Sequence, residues 1–220
     1  DIELGWRYAS EATNINTNLF YMDYTDQLVL TGAIDDVGAP IRETSGESYR
    51  IGLEVDAEIR LSQSFTVRPN IALSSNKNVD FVFQRDGELV NLGNTNISYS
   101  PEIVAGNIVE YRPIPNLQFA LLSKYVGEQF MGNIDSEVSK LDSYFINDLN
   151  IVYELREVPF VDSILLNGLV NNLFNVEYVS NGYFFTFDDD FSEPGTITTI
   201  EGAGFYPQAT INFLVGATVR

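Results

Sequence analysis

The sequence has no cysteine and no histidine among its 220 residues. The first absence removes disulfides, thiolate metal sites and thiol nucleophiles, and the second removes the commonest metal ligand and general base. Together they argue against an enzyme, and no catalytic residue, cofactor or resident metal is expected. Basic residues are scarce as well: 12 Lys and Arg stand against 31 Asp and Glu, a formal charge of −19. Nucleic acid and anionic membrane surfaces require clustered Lys and Arg, so neither is expected as an electrostatic partner. No run of about eighteen apolar residues occurs, which excludes a membrane-crossing helix. A mean hydropathy close to zero does not exclude a membrane, because a transmembrane barrel alternates apolar and polar residues and averages like a soluble protein. No signal peptide stands at Asp1, although an exported protein requires one, so a mature form or a fragment is expected.

What the sequence does have is alternation, plainest at its end. Ala209, Ile211, Phe213, Val215, Ala217 and Val219 fall on one face of an extended chain and Gln208, Thr210, Asn212, Gly216, Thr218 and Arg220 on the other, with Leu214 the only intruder. About twelve such residues exceed the roughly 5–6 of an ordinary strand and match the roughly 9–11 needed to cross a bilayer at a tilt. Residues 45–61 repeat the pattern: Tyr49, Ile51, Leu53, Val55, Ala57, Ile59 and Leu61 oppose Arg50, Gly52, Glu54, Asp56, Glu58 and Arg60. Similar strands are expected over 1–8, 14–30, 65–73, 101–112, 117–125, 141–156 and 161–174. Pro69 should interrupt its ladder. Over 101–112 both faces stay open, because Val104 and Ile108 compete with Ile103 and Val109.

Long connections at 31–44 (with Asp35, Asp36 and Gly38), 76–98, 127–140 and 176–204 alternate with short ones at 10–13, 62–64, 113–116 and 157–159. An outer-membrane barrel places long extracellular loops at one rim and tight periplasmic turns at the other. The connections near Asp36, Gly87, Gly132 and Asp189 are therefore expected outside the cell, and those near Ala12, Gln63, Pro115 and Val158 in the periplasm. Trp6, Tyr8, Tyr111 and Tyr153 fit an aromatic belt at the periplasmic rim. About nine strands are counted, whereas bacterial single-chain barrels have an even number, so further wall is expected elsewhere in the polypeptide.

The longest connection, 176–204, combines aromatic area with charge, the combination expected of a binding loop on a rigid scaffold. Its candidates for substrate contact are Tyr183, Phe184, Phe185, Phe187, Asp188, Asp189 and Asp190; girdle placement or packing within the loop is the plainer alternative for the rings. The acids, with Glu193, lack the one-in-two ligand spacing of a Ca²⁺ loop and read as a solvated acidic run. Arg50, Glu54, Asp56, Glu58 and Arg60 are expected to face the lumen, where mixed signs neutralise one another against water or an inserted domain.

Seven segments in order carry a family resemblance: DIELGWRY at 1–8, NLFYMDYTDQLV at 18–29, SPEIVAGN at 100–107, LLSKYVGEQFMGN at 121–133, LDSYFINDL at 141–149, VNNLFN at 170–175 and the closing FYPQATINFLVGATVR. Together they resemble the C-terminal part of the barrel of TonB-dependent outer-membrane receptors, a family whose chains usually end on an aromatic residue where this one stops at Arg220. The resemblance implies an all-β fold, an antiparallel up-and-down transmembrane β-barrel, with residues 1–220 supplying about nine C-terminal strands of a barrel of about 22. It implies a plug domain and N-terminal strands that this sequence lacks, and contact with TonB through that missing region. It further implies residence in the outer membrane of a Gram-negative bacterium, with lipid around the wall, and uptake of an iron–siderophore complex or other scarce small-molecule or metal-chelate nutrient. A passive porin and a soluble extracellular β-sandwich or adhesin module are the rivals, since alternation alone does not separate them. Strand length, loop rhythm and motif order favour the receptor.

Overall fold

The computed structural model describes residues 1–34 and 40–220, so Asp35, Asp36 and Gly38 of the first long connection lie outside the described residues. The strands are β1 (Ile2–Ala9), β2 (Thr13–Ile34), β3 (Pro40–Arg60), β4 (Phe65–Val79), β5 (Val82–Arg85), β6 (Glu88–Asn91), β7 (Thr95–Asn96) and β8 (Ile103–Ile114). They continue as β9 (Leu117–Val126), β10 (Gln129–Phe130), β11 (Lys140–Leu141), β12 (Tyr144–Arg156), β13 (Ser163–Asn171), β14 (Val179–Asp189), β15 (Thr198–Pro207) and β16 (Asn212–Val219). Nine of them, β1, β2, β3, β4, β8, β9, β12, β13 and β16, pair each with the next, antiparallel throughout, as an up-and-down wall. At one end the wall strands meet through short links, and at the other long connections join β4 to β8, β9 to β12 and β13 to β16, while only residues 35–39 separate β2 from β3.

Because side chains alternate across a strand, register sorts the wall into two faces. On one, Leu4, Leu19, Leu53, Leu73 and Ile103 stand side by side across five strands. This face is open, with Ile2 71% and Val215 81% exposed. On the other, Asn16, Asp56 and Asn70 pair in one row. The long connections fold over this polar face: Ser48, Asn76 and Asn78 lie on it and are buried. The only apolar cluster among the described residues is in those connections, where Phe81, Phe83 and Ile134 gather with Val29 from the top of β2, and Leu92 and Phe184 pack against them. The molecule is thus inverted relative to a soluble domain, apolar outside along the wall and cored only in its loops.

Four expectations change. β2 runs on to Ile34 and β3 begins at Pro40, so most of the long connection expected at 31–44 is paired strand, because the two strands keep their ladder beyond residues 30 and 45. The closing strand starts at Asn212, because Phe205 to Pro207 belong to β15, and Asn175 Oδ1 takes the Ile211 N–H (3.0 Å) at the turn between them. The connection at 176–204 is mostly a β-hairpin, β14–β15, paired from Asp189–Thr198 down to Val179–Pro207. The region at 76–98 is a continuation of β4 to Val79 followed by the hairpin β5–β6 and the short β7. Pro69 acts as expected: pairing of β3 with β4 lapses between Asp56–Asn70 and Ile59–Val67, since Pro has no N–H to give. The VNNLFN segment ends β13 through Asn172 and Asn175, both at positive φ (51° and 54°), a conformation Asn tolerates. Asn172 then donates to the Val176 and Ala209 carbonyls (2.8 and 3.2 Å), tying the start of the hairpin to the approach of the closing strand.

Candidate functional site

Two places gather functional side chains: the β14–β15 hairpin and the polar face of the wall. The seven hairpin residues singled out in the sequence do not converge. Alternation puts Tyr183, Phe185 and Phe187 on one face as a ladder of near-parallel rings, with centroids 6.3 and 6.4 Å apart and planes within 19° and 14°. The rings of Tyr183 and Phe185 lie over Gly204 and Gly202 of β15, where any β-carbon would strike them. Tyr206 extends the ladder, 6.0 Å from Tyr183. Phe184 points the other way, into the loop cluster and onto the backbone of Gly132.

The acids also divide. Asp188 accepts from Thr199 Oγ1 (2.9 Å) and Gln84 Nε2 (3.3 Å) and so fastens hairpin to hairpin. Asp189 takes the N–H groups of Phe191 and Ser192 (3.2 and 3.0 Å) and shapes the turn. The Ser192 side chain first, then these N–H groups, hold its carboxyl below the ordinary value of 3.8. A depressed carboxylate contributes stability that is whole above the ordinary pKa and is lost as pH falls through the depressed one. Amide exchange at Phe191 and Ser192 is therefore expected to be flat against acidification, after correction for intrinsic rate, until pH drops below about 3.8, and then to quicken; in Asp189→Asn the acid-induced step should be absent. Asp190 alone of the three is exposed without a hydrogen bond among those described. No three acidic groups among the described residues converge as metal ligands.

Sequence reading missed Glu201. Its carboxylate receives Arg85 Nη2 (3.0 Å) and the Ser136 hydroxyl, joining β15 to both neighbouring connections. Arg85 also lies over the Phe83 ring, 5.8 Å from its centroid. The Tyr99 hydroxyl donates to the Gly182 carbonyl (2.7 Å), and burial, only partly countered by this bond, raises its pKa. No local pattern announces these partners, which lie up to 116 residues apart.

On the polar face Arg50, Glu54, Asp56, Glu58 and Arg60 all lie together, as alternation along β3 requires. Arg50 donates to Asn76 Oδ1 and Ser100 Oγ (3.2 and 3.0 Å). Arg7, Asn16 and Asp56 form a chain of 2.8 Å bonds across β1, β2 and β3. Nearer the short links Arg68 sits between Glu58 (2.8 Å) and Glu110, with Arg60 and Arg112 beside those two carboxylates. The charges are thus largely answered within the wall.

A family profile described as TonB dependent receptor-like, beta-barrel, matches residues 1–173. No curated protein matches the chain. Among solved structures it is similar to the ferric-catecholate import receptor Fiu from K12 E. coli in its closed form (18% identity, TM-score 0.63), with 98% of this chain and 26% of that one covered. It is also similar to the siderophore receptor PiuA from Acinetobacter baumannii (15%, TM-score 0.63; 97% of this chain, 27% of that). A third is the ferric yersiniabactin uptake receptor FyuA from Yersinia pestis (15%, TM-score 0.62; 99% and 29%). At such identities the likeness speaks for the fold, and the chain spans between 26% and 29% of those proteins' length. With nine antiparallel wall strands, long connections gathered at one end, and a profile that runs through the first eight of those strands, the chain belongs to the TonB-dependent receptor-like β-barrel family.

Proposed function

We propose that residues 1–220 are the C-terminal part of the barrel of an outer-membrane receptor that imports an iron–siderophore complex or a comparable scarce nutrient, with energy relayed by TonB. The observation that carries this reading is the division of the wall: a continuous aliphatic row outward, suited to hydrocarbon, and a hydrogen-bonded ionic face inward, suited to a lumen. On this reading the outer membrane of a Gram-negative bacterium surrounds the wall, a plug and further strands complete it, and no covalent chemistry occurs. The solved relatives described as iron or siderophore receptors support this class of substrate.

Cells making the full-length receptor should take up radio-iron-labelled catecholate, hydroxamate or citrate chelates only while TonB is present. Uptake of equal rate without TonB overturns this reading in favour of a passive pore. The exposed rings are the part of the hairpin free to meet a ligand, so Tyr183→Ala and Phe187→Ala should each weaken binding of the accepted chelate about 2–10-fold with the barrel intact. Unchanged affinity in both variants would move the binding site off this hairpin.

A further inference from the structure

On β1, β3, β4 and β8 the arginines of the polar face are engaged: Arg7, Arg50, Arg60, Arg68 and Arg112 each meet an oxygen of the wall. Of the three lysines, Lys77 reaches Glu102 (3.4 Å) and Lys140 reaches Glu128 (3.1 Å). Lys124 differs. It is exposed on β9, two residues from the long-connection end, and has no hydrogen bond or ion pair among the described residues. The exposed side chain of Asn70 has none either. Register sets these two on either side of one glycine, for Asn70 pairs with Gly106 and Gly106 with Lys124. A β-carbon at Gly106 would stand 3.0 Å from both Oδ1 and Nδ2 of Asn70, so glycine is what keeps the space between them open. The result is a groove of about 290 Å³ walled by Val104, Ile108, Leu122 and Ile146. Asp148 also borders it, diagonal to Lys124 across β9 and β12, but its carboxylate accepts the Asn172 N–H (2.7 Å) and forms no ion pair with the ammonium.

We infer that this groove is a subsite for a carboxylate of the transported ligand, with Lys124 and Asn70 as its donors. The inference rests on the reading that the ionic face lines the lumen of an uptake receptor. An ammonium has three N–H donors and no acceptor, and an amide adds two donors. Such a pair calls for an acceptor, and for a negative one, because a hydrogen bond between charged partners is roughly twice as strong as a neutral one. The aliphatic walls favour a carboxylate carried on a carbon skeleton over a bare inorganic anion, since only the former covers them. Neighbouring strands lie about 4.8 Å apart, so the backbones of Asn70 and Lys124 are separated by roughly 10 Å, room for one carboxylate-bearing arm of a chelate. In a chain of formal charge −19 most of this face repels an anion, and the groove offers it an uncommitted cation.

Full-length receptor in detergent micelles, titrated with ferric citrate and with an uncharged ferric trihydroxamate, tests this. Lys124→Gln is expected to weaken ferric citrate binding about tenfold or more, the loss of a hydrogen bond to a charged group, and Lys124→Arg to keep most of the affinity. Gly106→Ala, which closes the gap with Lys124 in place, should weaken it as well. The trihydroxamate should bind all three variants as it binds the native receptor. Equal losses for both chelates, or no loss for ferric citrate, overturn the proposal, and so does a native receptor that does not bind ferric citrate. A carboxylate from the rest of the receptor's own chain would show instead as a lower unfolding temperature of ligand-free Lys124→Gln with ferric citrate affinity unchanged, which overturns it too. All these outcomes leave the receptor reading standing. Uptake at an equal rate without TonB removes that reading and the proposal with it.

Discussion

Leu53→Arg is expected to destabilise the assembled wall by about 2–4 kcal/mol, as a cation does near the midplane of a lipid-facing barrel surface. Leu53 stands in the centre of the row Leu4, Leu19, Leu53, Leu73 and Ile103. Along β3 it lies four residues from Tyr49 and four from Ala57, whose row leads through Ile15 to Tyr8. That position leaves an arginine no short route to either aromatic margin, so its charge must be dehydrated or must draw water into the bilayer. The neighbouring Glu54→Gln is expected to change stability by less than about 0.5 kcal/mol, as a polar exchange on a hydrated face. Urea-dependent folding into lipid vesicles, followed by heat-modifiable gel mobility, measures both. If Leu53→Arg and Glu54→Gln fold alike, the outward assignment of the aliphatic face is wrong.

Phe184→Ala is expected to release the β14–β15 hairpin while leaving the wall assembled. Its ring joins the cluster of Val29, Phe81, Phe83 and Ile134, so one side chain links the hairpin to three other parts of the chain. Truncating a buried Phe costs about 3–5 kcal/mol, and partial burial places this one near the lower bound. Local opening of that size corresponds to amide exchange in residues 179–207 faster by about 100-fold. The polar ties through Glu201, Asp188 and Tyr99 remain, but hydrogen bonds contribute roughly 1 kcal/mol each and do not replace the lost packing. Exchange in β3 and β4 should not change. A hairpin that exchanges at its native rate in this variant is held by its polar ties instead, and the Arg85–Glu201 pair then becomes the position to remove.

Both experiments turn on features of unequal visibility in the sequence. Alternation is a local property: successive side chains leave an extended chain on opposite sides whatever else the molecule does, so Tyr49 through Leu61 disclosed their two faces before any partner was known. The strands expected at 1–8, 45–61 and 117–125, found as Ile2–Ala9, Pro40–Arg60 and Leu117–Val126, and the break at Pro69 follow from that and from Pro chemistry. The candidate loop was visible as composition, yet composition does not say which way a ring points. Phe184 and Phe185 are neighbours in sequence and serve opposite faces, one in the loop cluster and one on the open ladder.

By itself the sequence determined the alternating strands of the wall, the side each residue takes along the cleanest of them, and the family. Tertiary structure alone decided that residues 179–207 form a hairpin, that Glu201 joins Arg85 and Ser136, and that Ile108 stands beside Leu122 on the polar face. The physical reason is distance along the chain. A strand's two faces are set by its own backbone, whereas Ile108 acquires Leu122, and Arg85 acquires Glu201, only when register and loop closure bring together segments that no local preference connects.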